Sequence, residues 1–355
     1  MGKILRMSEY DLNQLGWSNF FQQQITEPLP ANHILARVTG VQRSSWLVAT
    51  ELGEQQISPV TLDDERAVTV GDWLLLDTAN EKAVFRFESR SLFKRRAPGT
   101  DRREQLIAAN VDTLFVVSSC NQDFNEARIE RYLAIAHEAE VMAIVILTKS
   151  DLVDDPSDMV SAAARLSPGL LVEAVNALDR DSLKCLEPWL CSGQTIAVLG
   201  SSGVGKSTLT NTLMGDTDVT TQSIREDDDK GRHTTTSRNM YLLPDGAWLM
   251  DTPGMRELQL LDVKAGIDDV FAEISSLAEG CRFADCSHES EPGCSVLAAV
   301  ESGEIDAKRL KRWRKLLRED ALNRESIADR RARGKATGRL YKSIISDSHQ
   351  KKGRS

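Results

Sequence analysis

One stretch constrains the fold of this chain more than any other. Gly200-Ser201-Ser202-Gly203-Val204-Gly205-Lys206-Ser207 fits the G-x-x-x-x-G-K-[ST] phosphate-binding pattern. The apolar run Thr195 to Leu199 precedes it and reads as a buried strand, and Thr208 to Met214 follows and reads as a helix. That context is what the pattern needs. The glycines let the backbone wrap tightly, so successive N–H groups and the helix N-terminus point at phosphate oxygens. Lys206 is placed for the β- and γ-phosphates and Ser207 for Mg²⁺. The loop contacts expected with a nucleotide are Gly200, Ser201, Ser202, Gly203, Val204, Gly205, Lys206, Ser207 and Thr208.

A chain of 355 residues is long enough for two or three domains, and 41% hydrophobic residues suffice for packed cores. No apolar run approaches the ~18 residues that suggest a membrane span. The N-terminus carries charges and Gln without a signal-peptide apolar core, so a cytoplasmic protein with no membrane partner is expected. Charge is unevenly spread. From Lys308 onward there are 17 Lys/Arg against 5 Asp/Glu, a segment of +12 on a body of −21. A basic tail on an acidic body suits an anionic partner such as nucleic acid; the alternative is a solvated tail.

Taken in order, residues 1–32 show little pattern, although Leu15, Trp17, Phe20 and Phe21 suit a short docking helix. Residues 33–90 read as about five short strands separated by turns, a small closed β-barrel of the oligonucleotide-binding (OB) type, used for nucleic acid or for protein contact. Residues 91–103, with Lys94-Arg95-Arg96 and then Pro98-Gly99, read as a basic linker. Residues 104–265 alternate strands and helices and predict a parallel sheet covered on both faces.

Within that sheet, the strand Val141 to Leu147 ends in Thr148-Lys149-Ser150-Asp151. Ligands of such domains sit outside the carboxyl ends of the strands. Asp151 there can accept from guanine N1 and N2, a pairing adenine does not offer, and the Lys149 stem can pack over the base. A further strand ends in Asn176-Ala177, whose backbone suits guanine O6. Past the phosphate loop comes a polar segment with Gly231, Arg232, His233, Thr234, Thr235 and Thr236. One of the threonines, with Thr235 as the choice, is placed for Mg²⁺. Asp251-Thr252-Pro253-Gly254 closes the next strand; Asp251 can hold Mg²⁺ through water and the Gly254 N–H can sense a γ-phosphate. Base-recognition pieces thus precede the phosphate loop and switch pieces follow it, the order of a circularly permuted GTPase.

Residues 266–320 contain Cys281, Cys286, His288 and Cys294 at C-x₄-C-x-H-x₅-C spacing. Three thiolates and one imidazole make a closed tetrahedral set for one structural Zn²⁺. Clustered cysteines in a cytosolic chain favour metal over disulfide. Residues 321–355 are read as a basic tail.

The permuted signatures, the barrel and the Cys₃His cluster together resemble the RsgA (YjeQ) family of circularly permuted GTPases, over roughly residues 33–320. Gln105 to Asp112 and Gly231 to Thr236 add matching text. The resemblance implies GTP hydrolysis stimulated by the small ribosomal subunit, late in that subunit's assembly. It also implies a barrel and zinc domain gripping ribosomal RNA, with GTP and GDP as ligands and a monomeric chain. Thr148 stands where many GTPases have Asn. Met255 follows Gly254, where many GTPases have a water-orienting Gln. The resemblance points to His233 as the substitute catalytic residue, working beside Lys206. Two other classes stay open: an RNA-binding assembly factor whose nucleotide site is a conformational switch, and a different phosphate-loop enzyme such as an ATPase or nucleoside kinase. Asp151 and the permuted order speak against the second.

Overall fold

The computed structural model describes residues 10–42, 44–62, 66–96, 104–215, 238–251 and 262–324. The chain enters through a docking segment with one helical turn, α1 (Asn19–Gln22), and then forms β1 (His33–Val41), β2 (Trp46–Thr50), β3 (Gly53–Ile57), β4 (Trp73–Asp77) and β5 (Lys82–Arg86). These five pair antiparallel in the order β3-β2-β1-β4-β5. Side chains alternate faces along each strand. On β4, Leu74 and Leu76 therefore join Ala36, Val38, Trp46 and Val48 in one small core, while Trp73 faces the opposite way into the main core of the molecule. Among the described residues no ladder joins β3 to β5, so the barrel expected from the sequence is present as a five-stranded antiparallel sheet without hydrogen-bonded closure.

Residues Lys94 to Arg96, expected in a linker, lie instead in β6 (Leu92–Arg96), which pairs antiparallel with β7 (Glu104–Ala109). Phe93 and Ile107 are buried there, and the basic run masks the strand. Pro98 and Gly99 fall outside the described residues.

The nucleotide-type domain follows. β8 (Thr113–Ser119), α2 (Glu126–Glu138), β9 (Met142–Thr148), α3 (Ser157–Ala164), β10 (Leu171–Ala174), β11 (Thr195–Gly200), α4 (Lys206–Met214), β12 (Arg238–Leu242) and β13 (Trp248–Asp251) come in chain order. The sheet order is β10-β9-β8-β11-β13-β12, with all but β12 parallel. Every residue of β8 is buried, as a central strand covered on both faces requires. Helix α2 starts at Asn125, whose side chain accepts from the Arg128 N–H, and buries Ile129, Leu133 and Ala136.

This sheet does not stop at the domain border. β12 pairs with the second half of β1 through Gly40–Asn239 and Val41–Arg238. The first half of that same β1 edge belongs to β4. One sheet of eleven strands therefore runs through both parts.

Four helices complete the described chain: α5 (Lys264–Val270), α6 (Ala272–Glu279), α7 (Ser295–Ser302) and α8 (Ala307–Arg324). α5 lies so close to α2 that a Cβ on Gly266 would collide with the Ala134 carbonyl oxygen. Helix α8 reaches α2 through Arg309 and Arg312, which both pair with the fully buried Glu130, and through an Arg131–Glu319 pair. Burial pushes the Glu130 carboxyl up, while Arg312 and Arg309 pull it back down.

The seam between the antiparallel sheet and the parallel domain is closed by Arg37 on β1, which is 1% exposed. Its guanidinium donates to the Leu15 carbonyl (2.5 Å), the Asn110 carbonyl (3.3 Å) and Thr195 Oγ1 (2.6 Å). Burial, reinforced by Arg90, pushes its pKa down to about 9, which leaves it charged at neutral pH. Trp17 stacks edge-on against Trp73 and Phe87, and Trp248 Nε1 donates to the Gln14 carbonyl at 2.7 Å, so the docking segment is fixed to both parts. Arg37→Ala removes the donors of three buried acceptors and leaves a void. It should cost about 3 kcal/mol or more, read as a lower urea midpoint at unchanged slope. Equal midpoints would show that Arg37 does not hold the seam.

Candidate functional site

The phosphate-loop residues lie where the sequence puts them, between the carboxyl end of β11 and the start of α4. Gly205 caps α4 at φ 90°, in the left-handed region, with Thr148 Oγ1 3.2 Å from where a Cβ would stand. Any side chain there meets both backbone strain and a steric limit. Lys206 is buried in the first turn of α4, and its ammonium donates to the Ser201 carbonyl.

The base-recognition residues come to the same end of the sheet, because β9 is parallel to β8 and β8 to β11. The Thr148 hydroxyl lies 2.5 Å from the Val204 carbonyl and 3.1 Å from the Ser118 carbonyl. Thr148 thus still binds the loop from the position where many GTPases have Asn. Lys149, at φ 60°, sends its ammonium to the Gly203 carbonyl at 2.7 Å. Ser150 and Asp151 open the 3-10 turn Ser150–Leu152, and the Ser150 N–H donates to the Val175 carbonyl. Asp151 is exposed at the mouth of the site. Asn176 and Ala177 follow Val175, and the Asn176 side chain accepts from the Leu178 N–H at 3.0 Å. The Ala177 carbonyl accepts from Thr212 Oγ1 on α4 at 2.7 Å. The Thr212 link has no local sequence signal, because a hydroxyl on a helix does not announce its partner.

Ser207 and Thr208 lie half-buried in the first turn of α4. Asp251 ends β13, whose parallel pairing with β11 brings its backbone to the carboxyl edge where the loop begins. The Asp251 side chain, together with His233, Thr234, Thr235, Thr236, Gly254 and Met255, lies outside what is described.

The second site is the sulfur–imidazole cluster. The ligand atoms of Cys281, Cys286, His288 and Cys294 lie within 4.8 Å of one another. Cys281 Sγ is 3.7 Å from Cys294 Sγ and 3.6 Å from His288 Nδ1, and His288 Nδ1 is 3.3 Å from Cys294 Sγ. A tetrahedral ion with bonds of about 2.3 Å to sulfur and about 2.0 Å to nitrogen spaces its ligands at about 3.5 to 3.8 Å. The cluster therefore fits a metal ion at its centre. His288 is buried against Trp313 of α8, and burial holds its pKa below the usual range, which favours the neutral ring that a metal needs. Cys294 caps α7 and its sulfur accepts the Leu297 N–H at 3.4 Å, a contact that steadies a thiolate.

Phosphate loop, base loops and strand order together define a circularly permuted GTPase. Comparison agrees. The RsgA GTPase family model matches residues 86–261. The small ribosomal subunit biogenesis GTPase RsgA 2 of Vibrio parahaemolyticus is 48% identical over 340 residues, 96% of this chain and 94% of that protein. The small ribosomal subunit biogenesis GTPase RsgA of Mesorhizobium japonicum is 45% identical over 319 residues, 89% of this chain and 92% of that protein. Among solved structures, YjeQ from Thermotoga maritima aligns with a TM-score of 0.59 at 22% identity, covering 81% of this chain and 99% of that one. YloQ, described as a circularly permuted GTPase, aligns with a TM-score of 0.58 at 20% identity, covering 84% and 100%. At those identities the structures speak for the fold alone. The chain belongs to the RsgA GTPase family and is a GTP hydrolase. No helix among the described residues is long and apolar enough to cross a membrane.

The metal site yields a direct check. Protein purified without chelator should carry one equivalent of bound metal, and Cys294→Ser should lose it and melt at lower temperature. A metal-free parent of full stability would remove the site.

Proposed function

We propose that this chain hydrolyses GTP on the small ribosomal subunit and acts late in that subunit's assembly. The observation that carries the reading is the tie between loops. Thr148 and Lys149, from the base-recognition loop, both bind carbonyls of the phosphate loop, so base and phosphates are read by one connected unit. The names of relatives up to 48% identical supply the partner class.

In this reading, Asp151 accepts the two guanine donors and the Asn176-Ala177 backbone faces O6. The backbone of Gly200 to Gly205 cradles phosphate, Thr208 completes the first turn of α4, and Lys206 moves to the β- and γ-oxygens. Ser207, Thr235 and Asp251 are the residues to hold Mg²⁺, which when bound neutralises charge building between the phosphates. Gly254 reports the γ-phosphate. Met255 cannot orient water, so His233 takes that role. The sulfur–imidazole cluster holds Zn²⁺, since thiolates select a soft ion and the set is closed to solvent chemistry. The antiparallel sheet of residues 33–90 serves as an OB-type RNA-binding barrel, and the zinc domain of residues 266–320 as a second grip. Residues 104–265 are the GTPase domain, residues 321–355 add nonspecific phosphate contacts, and the chain works as a cytoplasmic monomer.

Two measurements test this. Asp151→Asn should weaken GTP binding by on the order of 10²-fold or more, since it presents a donor to guanine donors. Xanthosine triphosphate has a carbonyl in place of the 2-amino group, so it should bind the variant better than GTP does. Unchanged GTP affinity would reject the base assignment. Turnover should be slow for the free protein and rise strongly with small subunits. His233→Ala should bind GTP and cosediment with the subunit as the parent does, yet lose about 10²-fold of the stimulated rate. Full stimulation of that variant would move the activating group elsewhere.

A further inference from the structure

One cation beside the nucleotide site has no role in the account above. Arg128 lies in the first turn of α2, and its backbone N–H donates to the Asn125 cap at 3.1 Å. Its exposed side chain crosses to the phosphate loop, where the guanidinium donates to Ser201 Oγ at 3.0 Å. Among the described residues no carboxylate pairs with it.

The helix that carries Arg128 is held on the side away from the loop. Arg309 and Arg312 of α8 grip Glu130, two residues further along, and α5 packs backbone to backbone against α2 at Gly266. Arg131 pairs with Glu319. Arg128 is therefore presented from a fixed base and not from a loop.

The phosphate loop has two arms. Thr148 and Lys149 tether the second arm at Val204 and Gly203. The first arm is tethered at Ser201, by the Lys206 ammonium on its carbonyl and by Arg128 on its hydroxyl. Lys206 is the group that turns to the β- and γ-phosphates when a nucleotide enters. Among the described residues Ser201 then loses one of its two side-chain tethers, and the one that remains is Arg128. A glycine-rich loop left untethered must be ordered at the expense of binding energy.

We propose that Arg128 is a positioning residue of the phosphate loop, holding the first arm through the Ser201 hydroxyl while nucleotide is bound. This rests on the reading that the loop binds GTP phosphates. Its fixed positive charge beside the loop also favours approach of an anionic ligand. Because the contact is exposed, its effect is modest.

The test is a double-mutant cycle on the full-length protein, with methylanthraniloyl-GDP and methylanthraniloyl-GTP as probes. Arg128→Ala should raise the Kd for both nucleotides about threefold to tenfold, with an unchanged melting temperature. Ser201→Ala, which loses the contact and keeps the charge, should raise it by a smaller factor, and the double variant should be no weaker than Arg128→Ala alone, because the contact is already gone. Arg128→Lys should recover part of the affinity, since it keeps the charge and loses the planar fork. An Arg128→Ala variant that binds both probes as the parent does overturns the proposal, as does a double variant whose losses multiply. Lys206→Ala is the control. Failure of the parent itself to bind either probe would overturn the reading of the loop and this proposal with it. Binding by the parent that Lys206→Ala abolishes and Arg128→Ala leaves intact overturns only the proposal.

Discussion

The parallel ladder of β11 with β8 on one side and β13 on the other is the constraint from which the site follows. Parallel strands present all their carboxyl ends along one edge, and that edge is where base and phosphates must be met together. The ladder is indifferent to the order in which its strands are synthesised. The chain can therefore begin its domain at β8, make the base-recognition loops before the phosphate loop and the strand ending in Asp251 after it, and still recover the same juxtaposition. What permutation changes is which end of the domain is free to be continued. Here the strand ending in Asp251 leads toward α5 and the metal cluster, and the strand before it, β12, is stitched to β1.

Much of this was legible in the sequence, for physical reasons that differ by element. The phosphate loop declares itself because backbone wrapping demands glycine at fixed positions and the chemistry demands Lys and Ser after them. The metal cluster declares itself because thiols and imidazole are scarce and their spacing is short. The core strands of the parallel sheet show as unbroken apolar runs. Other features leave no local signature. Arg37 reads as a solvent-facing residue of an alternating strand, and only the assembled seam reveals three acceptors around it. Lys94 to Arg96 read as a connector because three consecutive charges follow Phe93 and the ladder is irregular between Phe93 and Lys94. The division of one β1 edge between β4 and β12 is a long-range pairing, invisible to any window of sequence. At Thr148, where many GTPases have Asn, the hydroxyl reaching Val204 shows how a shorter side chain binds the phosphate loop.

Glu130 has a consequence for the order of events during synthesis. Its carboxylate sits on α2, early in the nucleotide domain, yet both guanidinium partners come from α8, 179 and 182 residues later. Until α8 has been made, this acid has no cation to meet, and the helix face around it cannot be desolvated without leaving a charge unpaired. The Glu130 face of α2 is thus covered only by the module that carries the cysteine cluster and α8. Closing this face of α2 is then a docking step between two distant parts of one chain, and it requires α8 to be in place.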